Sequence, residues 1–241
     1  MYSFGITDTG KVRKDNQDKF AVEDINGVTV LVVCDGMGGE KAGNLASSIA
    51  VDAFMDHIRF CLNSESTVDF HELLREASGC ANIKVYDRAY SDINCKGMGS
   101  TIVGALVKDG HAIICNIGDS RAYLIAESKA TLLTHDHSFV QQLVDQGSIT
   151  PEQAKKHPHK NIITRALGSS VAVMTDIFEY DIRAGEVLLL CTDGMSNVIE
   201  DTELFDLCSK YETPEEICQG LLELTLERGA PDNVTIVTAT V

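Results

Sequence analysis

Five aspartates stand at the ends of apolar runs or in the loops beside them. In LVVCDGMGGEKAG, residues 31–43, an apolar run leads directly into Asp35, and glycines follow at 36, 38, 39 and 43. LLLCTDGMSN, residues 188–197, repeats the arrangement at Asp193, Gly194 and Met195. Asp119 follows IICNIG, Asp232 precedes the terminal run NVTIVTATV, and Asp18 lies in RKDNQDKF, close after Arg13. A buried, unpaired carboxylate costs several kcal/mol even after relaxation. One acid at a strand end is ordinarily a solvated loop residue, but five in such contexts, two of them before Gly-Met, invite a shared explanation. If the strand ends converge, the carboxylates repel unless divalent cations sit among them. Ligands that are all oxygen suit Mg²⁺ or Mn²⁺ rather than zinc. Glycines beside the acids let a backbone carbonyl, such as that of Gly36, come close to such an ion.

The elements that must position these acids follow from periodicity. Val/Ile-rich runs predict strands at Val28–Cys34, Thr101–Lys108, Ala112–Ile117, Ala122–Ala126, Val187–Cys191 and Val234–Val241. Apolar residues at helical spacing predict helices from Ala42 to about Arg59 and from Phe70 to about Tyr90. Ser138-x-x-Gln141 reads as a capping box with Gly147 as its stop. Thr150-Pro151 and Thr213-Pro214 start two further helices, the second running to about Arg228 before Gly229. The order is strands, two long helices, strands, short helices and a last strand. That is not βαβ alternation, and it predicts antiparallel sheets with helices packed outside them in layers.

Composition narrows the function classes. A chain of 241 residues fits one sizeable domain or two small ones, and no Pro/Gly/Ser-rich linker divides it. No apolar run reaches the length of a membrane span, and no signal peptide is visible. The formal net charge of −16 argues against sequence-independent nucleic-acid binding. None of the eight cysteines forms C-x-x-C, and buried thiols in a reducing compartment are expected.

Eight stretches carry a resemblance: RKDNQD (13–18), DGMGG (35–39), MGST (98–101), NIGDSRAYL (116–124), LTHDHS (133–138), TRALG (164–168), CTDGMSN (191–197) and DNVT (232–235). In kind and order they resemble the metal-dependent serine/threonine protein phosphatases of type 2C, the PPM family, in its compact bacterial form. The resemblance implies an α+β fold, a four-layer α/β/β/α sandwich of two antiparallel sheets flanked by helices, as a single catalytic domain over 1–241. It implies two Mn²⁺ or Mg²⁺ ions, with Asp35 bridging them. Asp193 and Asp232 would serve the first ion, and Asp18 and the Gly36 carbonyl the second. Asp119 with Asp193 would hold a third. Arg13 would grip the substrate phosphate, and residues from about 138 to 165 would form a flap beside the site. The implied reaction is hydrolysis of phosphoserine and phosphothreonine by a water bridging two ions. The expected partners are phosphoproteins made by a serine/threonine kinase, with no nucleic acid and no membrane, and the expected state is a cytoplasmic monomer. Three places depart from the family pattern, the end of CTDGMSN at Met195-Ser196-Asn197 among them. Met37 stands where the animal enzymes have a histidine, the candidate general acid, and Gln17 where many relatives have glutamate.

Other readings compete. Cys115 and Arg121 fit C-x5-R, the pattern of cysteine-dependent phosphatases, in which a thiolate attacks phosphorus. That pattern requires a loop leading into a helix, whereas AYLIA after Arg121 reads as a strand. A phosphatase-like binding module without activity is a further alternative, distinguished by loss of one or more of the acids. Asp8-Thr9-Gly10 matches the aspartic protease triplet but reads as a turn. His135-x-His137 and His157-x-His159 could together ligate zinc. Cys34 and Cys191, beside the acids, fit strand packing.

Overall fold

The computed structural model describes residues 1–64, 68–126 and 128–240. The chain begins with β1 (Tyr2–Asp8), β2 (Asp18–Ile25) and β3 (Val28–Met37), followed by helices α1 (Glu40–Ser64) and α2 (Phe70–Ser91). Next come β4 (Gly99–Ser100), β5 (Ile102–Lys108), β6 (His111–Ile117), β7 (Arg121–Ala126) and β8 (Lys129–Leu132). Two short helices, α3 (Phe139–Asp145) and α4 (Pro151–Lys155), lead to β9 (Asp176–Asp181) and β10 (Val187–Cys191). The chain closes with α5 (Asp193–Ser196), α6 (Asp201–Cys208), α7 (Pro214–Glu227) and β11 (Val234–Thr240).

The strands form two antiparallel sheets. One has the order β1-β11-β10-β7-β8; the other has β2-β3-β5-β6-β9, with β4 paired to β3. Period-2 alternation assigns each face. Along β3, Leu31 and Val33 pack between the sheets with Val103, Ala105 and Ile114, opposite Leu188, Leu190 and Val237 of the other sheet. The intervening Val30, Val32 and Cys34 meet α1 and α2. On the far side, Leu189, Cys191 and Ile236 meet α6 and α7. The expected α/β/β/α sandwich is the fold. Because β3 is covered on both faces, it reads as an unbroken apolar run rather than an alternating one.

The expected starts and stops hold with local differences. Thr150 and Thr213 form complete capping boxes with Gln153 and Glu216. Ser138 Oγ accepts from the Gln141 N–H at 3.2 Å, but the Gln141 side chain donates to Asp145 instead of returning to the cap. Helix α1 extends beyond the predicted Ala42–Arg59 at both ends. Val241, predicted to close the last strand, lies outside the described residues. Asp8-Thr9-Gly10 is a turn, closed by the Gly10 N–H on Asp8 Oδ1 at 2.7 Å.

Phe54 of α1 is fully buried, and its ring lies against Gly104 of β5, where even one added Cβ would come within 2.8 Å. Phe54→Ala leaves a hole that the rigid sheet cannot close. It is expected to cost about 3–5 kcal/mol, measured as a lowered urea midpoint at unchanged m-value.

Candidate metal-binding active site

One end of the sandwich collects the acids. Asp18 and Asp35 are paired neighbours on β2 and β3. Asp35 falls on the inter-sheet face, in phase with Leu31 and Val33, and its backbone is clamped by Thr101. The Thr101 N–H donates to Asp35 O at 2.8 Å, and Thr101 Oγ1 accepts from the Asp35 N–H at 2.9 Å. Asp18 is buried and reaches across to the other sheet, where its Oδ2 accepts from Thr192 Oγ1 and Thr235 Oγ1, each at 2.8 Å. Asp193 opens α5 directly after Thr192, and Asp232 immediately precedes Asn233 and β11. Asp119 sits in the turn between β6 and β7.

Electrostatics record this convergence. Burial pushes the Asp18 carboxyl up to about 7 against its two threonine hydrogen bonds, with Asp193 and Asp232 adding to the rise. Burial raises Asp35 well above the carboxylate range, and Asp18, Asp193, Asp119 and Asp232 push in the same direction. Asp119 rises to about 8, through burial and then Asp193. Asp193 rises to about 6, through burial and then Asp232, while Lys160, Arg13 and Arg121 partly offset this. Asp18, Asp35, Asp119 and Asp193, all held above the ordinary carboxylate range, form with Asp232 a site short of positive charge.

Two observations suit this site to hard cations. Asp119 Oδ1 is buried with no hydrogen-bond partner, an orphaned acceptor that costs free energy unless a cation or water meets it. The donors are carboxylates and backbone carbonyls, the oxygen set that Mg²⁺ and Mn²⁺ take. The acids are not drawn into a closed shell. Among the described residues, the group of metal-capable side chains with all ligand atoms within 4.8 Å of one another is His57, Cys61 and Glu76, on α1 and α2.

The glycines that follow the acids serve close packing. A Cβ on Gly36 would lie 2.0 Å from Gly43 O and 2.8 Å from Gln17 O, and one on Gly194 would lie 1.8 Å from Asn233 O. Gly43 in turn packs on the Gly36 carbonyl, which a Cβ at 43 would approach to 2.7 Å. Bare backbone therefore brings α1 onto β3 and α5 onto β11 at the acids.

Arg13 is half exposed, and its Nη2 donates to Asp232 Oδ2 at 2.7 Å. A cleft of about 670 Å³ adjoins the site, lined by Asp119, Asp193, Arg121 and Asp136 and, on the side of α4, by Lys155, Lys156 and Lys160. Lys155 reaches across to pair with Glu200.

Three residues that the sequence reading left without a role hold the site together. Asn233 Oδ1 accepts from the Gln17 N–H at 2.8 Å, and its Nδ2 donates to Thr9 O at 2.8 Å and Asp15 O at 3.0 Å. It thereby fastens the Arg13 loop to β11. Thr192 and Thr235 hold Asp18. All three lie inside the motifs CTDGMSN and DNVT, next to the aspartates, which was the available signal.

The rival chemistries find no support. Cys115 is fully buried in mid-strand, with its thiol pushed up to about 11 by burial. Arg121 lies on a strand, as expected, and forks onto Asp136 with contacts of 3.0 and 2.7 Å, so it presents no phosphate cradle. Cys34 and Cys191 are buried packing residues. The paired histidines are engaged separately. His137 is buried, its Nδ1 accepting from the Gly118 N–H at 3.0 Å and its Nε2 donating to Asp176 at 3.1 Å, while His135 pairs with Asp145.

The profile of the family described as Protein phosphatase 2C matches residues 11–221. The chain is 34% identical to the serine/threonine phosphatase stp of Listeria monocytogenes, over 98% of this chain and 94% of that protein. Its fold superposes on the crystal structure of the serine/threonine phosphatase PstP/Ppp of Mycobacterium tuberculosis with a TM-score of 0.89, at 33% identity and covering 99% and 97% of the two chains. Stp1 of Staphylococcus aureus gives a TM-score of 0.90 at 36% identity, covering 99% of this chain and 94% of that one. A further structure, the PstP catalytic domain in complex with two manganese ions, gives 0.87 at 32% identity, covering 99% and 96%. With the family's motifs spread over nearly the whole length and its fold reproduced around them, the chain belongs to the protein phosphatase 2C family.

Proposed function

We propose that the chain hydrolyses phosphoserine and phosphothreonine in proteins at the acid cluster, as one catalytic domain with residues from about 138 to 165 as its flap. The observation that carries this is the meeting of Asp18, Asp35, Asp119, Asp193 and Asp232 at one end of the sandwich, with Asp119 Oδ1 left unpartnered. Two divalent cations, Mn²⁺ or Mg²⁺, supply Lewis acidity there and lower the pKa of a water toward neutrality. Asp35 is assigned to both ions, Asp193 and Asp232 to the first, and Asp18 with the Gly36 carbonyl to the second. Asp119 with Asp193 is assigned to a third.

The remaining work falls to the chain. Arg13 is paired with Asp232; with a cation on that carboxylate, its guanidinium would be free to donate to the equatorial oxygens of a phosphoryl group. Lys160 adds positive charge where a phosphate dianion would enter the cleft. The rigid clamps on Asp35 and Asp18 keep the acids from reorganising as charge develops. Met37, where the animal enzymes have a histidine, offers no proton to the leaving oxygen.

Manganese-dependent release of phosphate from a phosphothreonine peptide, abolished by chelator, tests this reading. Cys115→Ser should retain activity, whereas a chelator-insensitive activity lost in that variant would restore the cysteine mechanism. Arg13→Ala removes a charged hydrogen bond to the substrate, worth about 1.5–3 kcal/mol. It should lower kcat/KM by about 10- to 100-fold, chiefly through KM, in a peptide titration.

The finer assignments rest on the same features. No helix among the described residues is long and apolar enough to cross a membrane. All eight cysteines are thiols, which fits the reducing cytoplasm as the location. The substrates are phosphoproteins of a serine/threonine kinase in the same cell, the protein acts as a monomer, and its charge of −16 keeps it from nucleic acid.

A further inference from the structure

The outer helical layer carries a second cluster of metal-capable side chains, away from the acids. His57 and Cys61 are one turn apart on α1, and Glu76 and Cys80 are one turn apart on α2. Each pair has i,i+4 spacing, so each projects from a single helix face toward the other helix. His57 lies at the centre. Its Nε2 is 3.7 Å from Cys61 Sγ and 3.2 Å from Glu76 Oε2, and its Nδ1 is 3.6 Å from Cys80 Sγ. One ligand atom each from His57, Cys61 and Glu76 lies within 4.8 Å of the others.

We infer that His57, Cys61 and Glu76 form a zinc site that joins α1 to α2, with a solvent water as fourth ligand. The distances favour this. Zinc bonds of about 2.3 Å to sulfur and about 2.0–2.1 Å to nitrogen or oxygen, at tetrahedral angles, require an S···N edge of about 3.6 Å and an N···O edge of about 3.3 Å. The two edges at His57 are 3.7 and 3.2 Å, and the Cys61–Glu76 edge lies within 4.8 Å, so an ion fits the two edges at His57 as they stand. The ligand set of thiolate, imidazole and carboxylate selects zinc over the hard cations assigned to the acid cluster. Cys80 completes the arrangement from behind. With Nδ1–H directed at Cys80 Sγ, the imidazole keeps its Nε2 lone pair toward Cys61 and Glu76, the orienting role that outer partners of metal-bound histidines play. Cys61 is buried while Glu76 is exposed, which leaves an entry path and an open fourth position on the solvent side. The Cys61 proton passes to solvent as the Zn–S bond forms. His57 lies fourteen residues along α1 from Gly43, about 21 Å of helix, so the site is separate from the acid cluster and does not depend on the reading of that cluster.

Cobalt titration of the reduced, metal-free chain tests this with a readout the acids cannot give. Co²⁺ should produce a thiolate-to-cobalt charge-transfer band in the near ultraviolet that follows a single-site curve and is displaced by Zn²⁺. Cys61→Ser should abolish the band, and His57→Gln should weaken binding at least tenfold while manganese-dependent phosphatase activity stays at the wild-type level, showing that the fold is intact. Cys80→Ser should retain the band at about 10- to 100-fold lower affinity. No thiolate band in the reduced wild-type chain, or a band unchanged in Cys61→Ser, would overturn the assignment.

Discussion

Asp193→Asn should lower manganese-supported turnover of a phosphothreonine peptide by about a thousandfold and, in the same protein, raise the melting temperature measured in chelator at pH 8. The two effects have one cause. Asp193 is assigned to the first ion and shared with the third, so neutralising it removes several kcal/mol of charge stabilisation, each 1.36 kcal/mol being a factor of ten in rate. Without metal the same carboxylate is a liability. Burial and Asp232 hold its pKa at about 6, against 3.8 for an unperturbed aspartate, so keeping it ionised in the folded state at pH 8 costs about 3 kcal/mol. Asparagine removes that cost and can keep the 3.0 Å hydrogen bond from Asn197 Nδ2. Activity that persists, or a chelated protein that melts lower, would remove Asp193 from the site.

Manganese itself should shift the melting curve, and the shift should grow with pH. The carboxyls of Asp18, Asp119 and Asp193 have folded-state values of about 7, 8 and 6, all above the 3.8 of an unperturbed aspartate. A group whose folded pKa is raised stabilises the fold while it is protonated. That contribution is complete below the unfolded value and is lost as pH rises through the folded value. The metal-free protein should therefore lose stability between about pH 4 and pH 8. Cations on the ionised carboxylates reverse the loss, and at a hundredfold excess over Kd one bound ion adds about 2.7 kcal/mol. For a domain of this size that is a rise of about 5–10 °C. Scanning fluorimetry at pH 5.5 and pH 8, with chelator or with millimolar Mn²⁺, measures it. Equal curves with and without metal at pH 8 would leave the acid cluster without ions.

The legible part of the fold was its interior. The runs predicted from Val28, Thr101, Ala112, Ala122, Val187 and Val234 are β3, β5, β6, β7, β10 and β11, each paired on both sides. Two-sided pairing and two covered faces demand apolar, β-branched residues throughout, and that demand is written in composition. The strands the sequence concealed are β1, β2, β8 and β9, the four sheet edges, together with the two-residue β4. Edge strands such as DKFAVEDI and DIFEYD are only partly buried. Their charges are compatible with a loop as much as with a strand, and only the neighbour they pair with settles the matter. Helix α5, four residues long, likewise owes its form to Gly194 packing on Asn233 rather than to its own periodicity.

The chemistry divides in the same way. Sequence alone determined the five aspartates, the glycines beside them and the apolar runs that carry them, because strand ends and backbone close approach restrict residue type locally. It could not determine that Asp18 crosses between the sheets to Thr192 and Thr235, or that Arg13 rests on Asp232. Those contacts join residues up to 219 positions apart, and side chains so distant acquire a common environment only when the two sheets stack and bring their ends together.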